Sequence, residues 1–228
     1  MALASDKGLH HAVLFDWDGT LADTRRVIVN TFQKAVREII GIDASADFIE
    51  RRIGTGAAQT FREILQSANK SAGDTIIKKL LAKKIEFEIS MSDNVKLFPG
   101  ARELLEALQG KVRIALASMN NRLVIEELLD KMNIRDCFEV ILTVEEVTKF
   151  KPDPEIFLKS ATKLNIRPED CVVIEDSIFG VQAARNAGME CIGVLTGVYS
   201  RKELETASPR LIVQSLTEKN KILNLILR

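Results

Sequence analysis

The sequence predicts a doubly wound α/β fold, a parallel β-sheet with helices on both faces, into which a second, all-helical domain is inserted. Three observations predict it. From residue 99 onward, short apolar runs alternate with amphipathic stretches, the pattern of successive βα units. An earlier apolar run, Val13-Leu14-Phe15, ends in Asp16-Trp17-Asp18-Gly19-Thr20, a buried strand closing on charge. About 95 residues then separate this strand from the next strong strand signal at residues 112–117, although a crossover between parallel strands needs only about a dozen.

The first strand covers residues 11–16. The oversized crossover reads as helical throughout. Ile28, Phe32, Ala35, Val36 and Ile39 form one apolar stripe at helical spacing. Gly41, Gly54-Thr55-Gly56 and Gly73 punctuate the rest of the insert, and residues 57–68 and 74–89 are again amphipathic. No proline occurs before Pro99, which suits a helical bundle. The basic run Lys78, Lys79, Lys83 and Lys84 precedes Glu86 and Glu88 and reads as a solvated helix face. Phe98-Pro99-Gly100 marks the return to the main domain. Helices follow around Leu104 to Leu108, Val124 to Met132, Ile156 to Leu164 and Val181 to Ala187. They alternate with strands at 112–117, 139–142, 171–174 and 191–195, and a short strand at 211–213 and a tail helix at 216–227 finish the chain. The expected organisation is a core of residues 1–21 and 96–228 and a helical cap of residues 22–95.

Lys+Arg and Asp+Glu both total 32, so the basic excess of a nucleic-acid or membrane-surface protein is missing. No apolar run approaches the roughly 18 residues of a spanning helix, and the N-terminus lacks the basic start and apolar stretch of a signal peptide. The expectation is a cytoplasmic protein with a small-molecule substrate, without nucleic-acid or membrane partners, as a monomer or weak homo-oligomer. Cys137, Cys171 and Cys191 lack metal-site spacing and read as small core residues. His10 and His11 read as exposed.

Four strand ends carry polar residues that a buried strand does not need for structure: Asp16 and Asp18; Ser118 with Asn120 and Asn121; Lys149-Phe150-Lys151-Pro152; and Glu175-Asp176-Ser177. Ligands of open α/β sheets gather at these carboxyl ends. Asp16 and Asp18 are two apart, so in extended chain they leave the same face. Two carboxylates there repel unless something positive joins them, and a hard divalent cation such as magnesium is the simplest answer.

The stretch Asp16-x-Asp18-Gly19-Thr20-Leu21-x-Asp23-Thr24 resembles the signature of the haloacid dehalogenase-like (HAD) hydrolases, in their phosphatase and phosphomutase branch, and three more matching stretches come after it in order. The resemblance spans about residues 11–197. It implies a Rossmann-like core with a cap, and phosphoryl transfer through an aspartyl-phosphate. Asp16 is then the nucleophile and Asp18 the general acid and base. Ser118 and Lys151 hold the phosphoryl oxygens. Mg2+ is bound by Asp16, the Asp18 main-chain carbonyl and Asp176, with Glu175 behind the metal. Substrate contacts fall to Gly54, Thr55 and Gly56 of the cap loop and to Ser118, Asn120 and Lys151. Bland roles stay open for some: Ser118 as a helix N-cap, Lys149 as the rival lysine, Asp23 and Thr24 as a cap or hinge.

Asp18 and Gly19-Thr20 set the chain apart from the metal-free dehalogenases of the family, and the cap loop has no lysine for phosphonate chemistry. Mutases of the β-phosphoglucomutase type carry an arginine after the cap-loop glycine and a histidine in the first cap helix; Ala57 and Ile28 stand there, with Arg51, Arg52 or Arg62 as substitutes. The expected function is a magnesium-dependent phosphatase of small metabolites, phosphoglycolate- or sugar-phosphate-like. A sugar phosphomutase is the alternative enzyme, and a receiver-like phospho-accepting module the alternative of another class.

Overall fold

A computed structural model describes residues 10–227. Residues 1–9, expected from the sequence to belong to the core, and Arg228 lie outside the described residues.

The core is a six-stranded parallel sheet. Its strands are β1 (Ala12–Phe15), β4 (Arg113–Ala117), β5 (Val140–Leu142), β6 (Cys171–Glu175), β7 (Glu190–Val194) and β8 (Leu211–Val213), in the order β5-β4-β1-β6-β7-β8. The two remaining strands, β2 (Ala22–Asp23) and β3 (Lys96–Leu97), pair antiparallel where the chain leaves the core and returns to it. Period-two alternation sorts the strand residues between two faces. Phe15, Leu116 and Ile174 bury one face against α5 (Ala101–Leu108), α6 (Arg122–Lys131) and α10 (Lys219–Ile226). Leu14, Ala115 and Val173 bury the other against α7 (Glu155–Leu164) and α8 (Ile178–Asn186).

The insert supplies α1 (Arg25–Ile40), α2 (Ala46–Glu50), α3 (Ala57–Ser67) and α4 (Asp74–Ser90). Their apolar stripes meet in a cluster of their own, with Ile28, Phe32, Val36, Phe61, Leu65, Ile77 and Leu80 buried. The rings of Phe32 and Phe61 pack 4.5 Å apart. Gly41 ends α1 in the left-handed region at φ 74°, returning its N–H to the Val36 and Arg37 carbonyls.

Three expectations need correction. Lys84 is not on a solvated face: it is buried together with Glu88, because positions 77, 80, 84 and 88 form the inward stripe of α4. His10 is half-buried against Glu190, 3.3 Å away, while His11 is exposed. Cys137 is only half-buried, whereas Cys171 and Cys191 are core residues. The short helices α2 and α9 (Arg201–Glu205) have no counterpart in the sequence pattern, and the tail helix begins at Lys219, later than expected. Among the described residues no helix is long and apolar enough to cross a membrane.

Candidate active site

The strand register brings the polar strand ends to one level. Phe15 pairs with Leu116 on one side and Ile174 on the other, so Asp16, Ala117 and Glu175 leave the sheet together. The ladder continues one step further through the Asp16 N–H, which donates to the Ile174 carbonyl at 3.0 Å. Gly19 then turns the chain at φ 90°. A side chain there would place its Cβ 2.4 Å from Asp176 Oδ2, so the residue must be glycine for the β1 loop to lie against that carboxylate.

Lys151 is the centre of the charge network. Its Nζ donates to Asp16 Oδ1 at 2.5 Å, Glu175 Oε1 at 2.8 Å and the Ala117 carbonyl at 3.2 Å. Burial works against the ammonium, but the two carboxylates hold its pKa above the usual lysine range. Glu175 is fixed from behind, since its Oε2 accepts from the Ser177 N–H at 2.8 Å and hydroxyl at 2.9 Å. Both of its oxygens are thus engaged by the protein. Asp176 accepts from Thr20 Oγ1 at 2.9 Å. Ser118 Oγ lies 3.5 Å from Asp18 Oδ2 and accepts from the Asn120 N–H at 3.0 Å. It does not cap α6, whose N-cap is Asn121. Lys149 points to solvent beside Asp153, so of the two motif lysines Lys151 is the one in the cluster.

Asp16, Glu175 and Asp176 each offer an oxygen within 4.8 Å of the others. Three buried carboxylates around one ammonium leave an excess of negative charge. Burial pushes the Asp16 carboxyl up to about 7, against the pull of Lys151, and lifts Asp176 well above the usual range. Burial and the nearby Glu88 carboxylate push Asp18 up to about 6. Asp18 Oδ1 is buried without a hydrogen-bond partner among the described residues. An all-oxygen donor set with unbalanced negative charge fits a hard divalent cation.

The cap covers the opposite side. Ile28, Phe32, Ile53, Gly54, Gly56, Lys84 and Asn120 line a pocket against Asp18. Gly56, at φ 96°, would drive a Cβ to 2.9 Å from the Phe150 ring. Thr55 is not in this wall; its hydroxyl donates back to the Arg52 carbonyl at 2.8 Å. Asn120 is joined to the cap, its Nδ2 donating to Glu88 Oε1 at 3.1 Å. Sequence reasoning missed Lys84 and Glu88 as site residues. The available signal was an i,i+4 Lys–Glu pair on the same stripe as Ile77 and Leu80. Thr20 and Ser177, which anchor Asp176 and Glu175, were also missed, although both lie inside the motifs.

Known proteins place the chain in the same frame. Residues 13–194 match the family described as haloacid dehalogenase-like hydrolase. The chain is 31% identical over 218 residues to a phosphorylated carbohydrates phosphatase of Thermotoga maritima, covering 94% of this chain and 97% of that one. It is 33% identical over 192 residues to the β-phosphoglucomutase of Bacillus subtilis, covering 82% and 84%. Of one longer relative, the Arabidopsis thaliana protein Suppressor of Quenching 1, the chain spans only 20%, at 33% identity over 91% of its own length. The crystal structure of CbbY from Rhodobacter sphaeroides in complex with phosphate superposes with a TM-score of 0.82 at 27% identity, covering 92% of this chain and 96% of that one.

Proposed function

The chain belongs to the haloacid dehalogenase-like hydrolases and is a phosphoric monoester hydrolase, and from there we propose a magnesium-dependent phosphatase of small phosphorylated metabolites, phosphoglycolate- or sugar-phosphate-like, with Asp16 as nucleophile. The observation that carries the reading is Lys151 Nζ between the Asp16 and Glu175 carboxylates at the mouth of β1. Lys151 orients Asp16 and sets its positive charge against the phosphoryl oxygens. Asp16 attacks phosphorus and becomes the aspartyl-phosphate as the alkoxide departs. Asp18, whose carboxyl burial and Glu88 push up to about 6, gives its proton to that alkoxide and then takes one from the water that hydrolyses the intermediate. Ser118 donates to a phosphoryl oxygen.

Asp16 and Asp176, with the Asp18 main-chain carbonyl, are the groups that would hold Mg2+; Glu175, already engaged by Lys151 and Ser177, stands behind them. When bound, the cation offsets the repulsion between an anionic nucleophile and an anionic phosphate. Residues 22–95 act as a cap over this site, hinged where β2 and β3 pair, and residues 1–21 and 96–228 form the catalytic core.

A sugar phosphomutase must hold a second phosphate. Ile28 and Ala57 both line the pocket beside Asp18 and cannot bind one. Arg51 pairs with Glu203, Arg52 with Glu63 and Arg62 with Asp74, so the arginines that could substitute are already matched with acids. A receiver-like module does not suit a member of a hydrolase family with four helices inserted over its site.

The test is release of phosphate from a panel of phosphorylated metabolites and p-nitrophenyl phosphate, with magnesium and with chelator. Catalytic turnover that stops with the chelator is expected. Interconversion of sugar phosphates without phosphate release would favour the mutase, and full activity after exhaustive chelation would contradict the metal assignment.

A further inference from the structure

Deepening the phosphatase reading and resting on it, and narrowing it to its sugar-phosphate side, we propose that Lys84 and Asn120, held from behind by Glu88, bind hydroxyl groups of an uncharged leaving group and turn away leaving groups that carry a second anion, glycolate among them. All three side chains are buried, and Lys84 and Asn120 line the pocket against Asp18, where the leaving alcohol must sit to receive a proton. Lys84 Nζ touches Glu88 Oε2 and lies 3.5 Å from Asn120 Oδ1, while Asn120 Nδ2 donates to Glu88 Oε1 at 3.1 Å.

A buried lysine at such a place would ordinarily invite an anion. Here its charge is already met by a carboxylate of its own helix, one turn away. The same holds for the other cation of this wall: Arg52 pairs with Glu63, donates to the Phe48 carbonyl at 3.2 Å and lies over the Phe48 ring at 3.5 Å. The rest of the wall is apolar or neutral, with Ile28, Phe32, Ala57, Thr60 and Met119. In the adjoining cleft on the far side of Asp18, Arg25 shares the lining with Asp23, Glu50 and Asp176. A carboxylate or second phosphate entering the pocket would therefore lose its water to meet cations that are already paired, with Glu88 repelling it. A hydroxyl needs one donor and one acceptor side by side. On the pocket wall the Lys84 ammonium and the Asn120 amide N–H can donate and the Asn120 amide oxygen can accept, with Glu88 behind them matching the lysine charge, so the wall suits the neighbouring hydroxyls of a polyol.

The test uses two pairs of esters that differ only in a terminal CH2OH or carboxylate: glycerol 3-phosphate against 3-phosphoglycerate, and sorbitol 6-phosphate against 6-phosphogluconate. The wild-type kcat/KM should favour the alcohol of each pair by about tenfold or more, the scale of one unfavourable charge contact. Glu88→Gln, which frees the lysine charge, should shift that ratio toward the carboxylate by about tenfold. Glu88→Asp should keep the wild-type preference. Should Glu88→Gln fail to fold, the double variant Lys84→Met/Glu88→Leu removes both charges, a change that buried pairs often tolerate, and should lose most of the discrimination. A wild type that cleaves p-nitrophenyl phosphate yet treats the partners of each pair alike would overturn this inference and leave the phosphatase reading standing. So would an unchanged ratio in both Glu88→Gln and the double variant. A wild type that releases phosphate from no ester at all would overturn the phosphatase reading, and this inference with it.

Discussion

The two walls of the site balance charge in opposite ways. On the core side, Lys151 faces three buried carboxylates, Asp16, Glu175 and Asp176, and burial, helped by the neighbouring acids, lifts Asp16 to about 7 and Asp176 well above its usual range. On the cap side, Lys84 is matched by Glu88 and Arg52 by Glu63. The core wall is short of positive charge, which a bound divalent cation would supply. The cap wall is neutral as it stands, as a site that selects among alcohols can be. The proposed function thus divides chemistry and selection between two parts of the chain whose buried side chains form separate apolar clusters.

The sharpest way to break this comparison is at the nucleophile. Asp16→Asn should abolish turnover of every ester, because an amide is a poor nucleophile; phosphate release near the wild-type rate would end the covalent account. Asp18→Asn should slow turnover by roughly 10²- to 10⁴-fold, the range of a lost acid–base group, and most for esters with poor leaving groups. An equal loss of kcat/KM for p-nitrophenyl phosphate and alkyl phosphates would take protonation of the leaving group away from Asp18. Asp176→Asn should weaken apparent magnesium affinity by about tenfold or more, read as activity against magnesium concentration with folding followed by circular dichroism. The smallest effect belongs to the cap. Gly56→Val, pressed against Phe150 and strained at positive φ, should raise KM for alkyl phosphates while p-nitrophenyl phosphate, which needs less from the cap, loses less. Equal losses for both would detach the loop from specificity.

The core was legible in the sequence because its signals are local and redundant. Apolar runs such as Val13-Leu14-Phe15 and Val172-Val173-Ile174 have no other stable use, and each ends on charge that only a ligand site explains. The cap was legible as helices but not as a surface. Lys84 and Glu88 sit in a run of charges, and a charged run scores as polar wherever it falls on the helix. Only packing shows that α4 turns positions 77, 80, 84 and 88 inward. Thr55 reads like a contact residue in a glycine turn, yet its hydroxyl closes the turn itself. Helices as short as α2 and α9 span too few residues for a period to register, although Ser200 and Glu203 form a capping box that marks the start of α9.

The most direct measurement traps the phosphoryl group on the core wall. The Asp18→Asn variant, with magnesium, is mixed with an aryl phosphate labelled in its phosphoryl group, whose leaving group departs without a proton, then quenched with acid, digested and analysed by mass spectrometry. The account predicts a phosphoryl group on the peptide that contains Asp16, formed faster than it is lost and absent from the Asp16→Asn variant. Turnover with no label on that peptide, or with label on another residue, would contradict it.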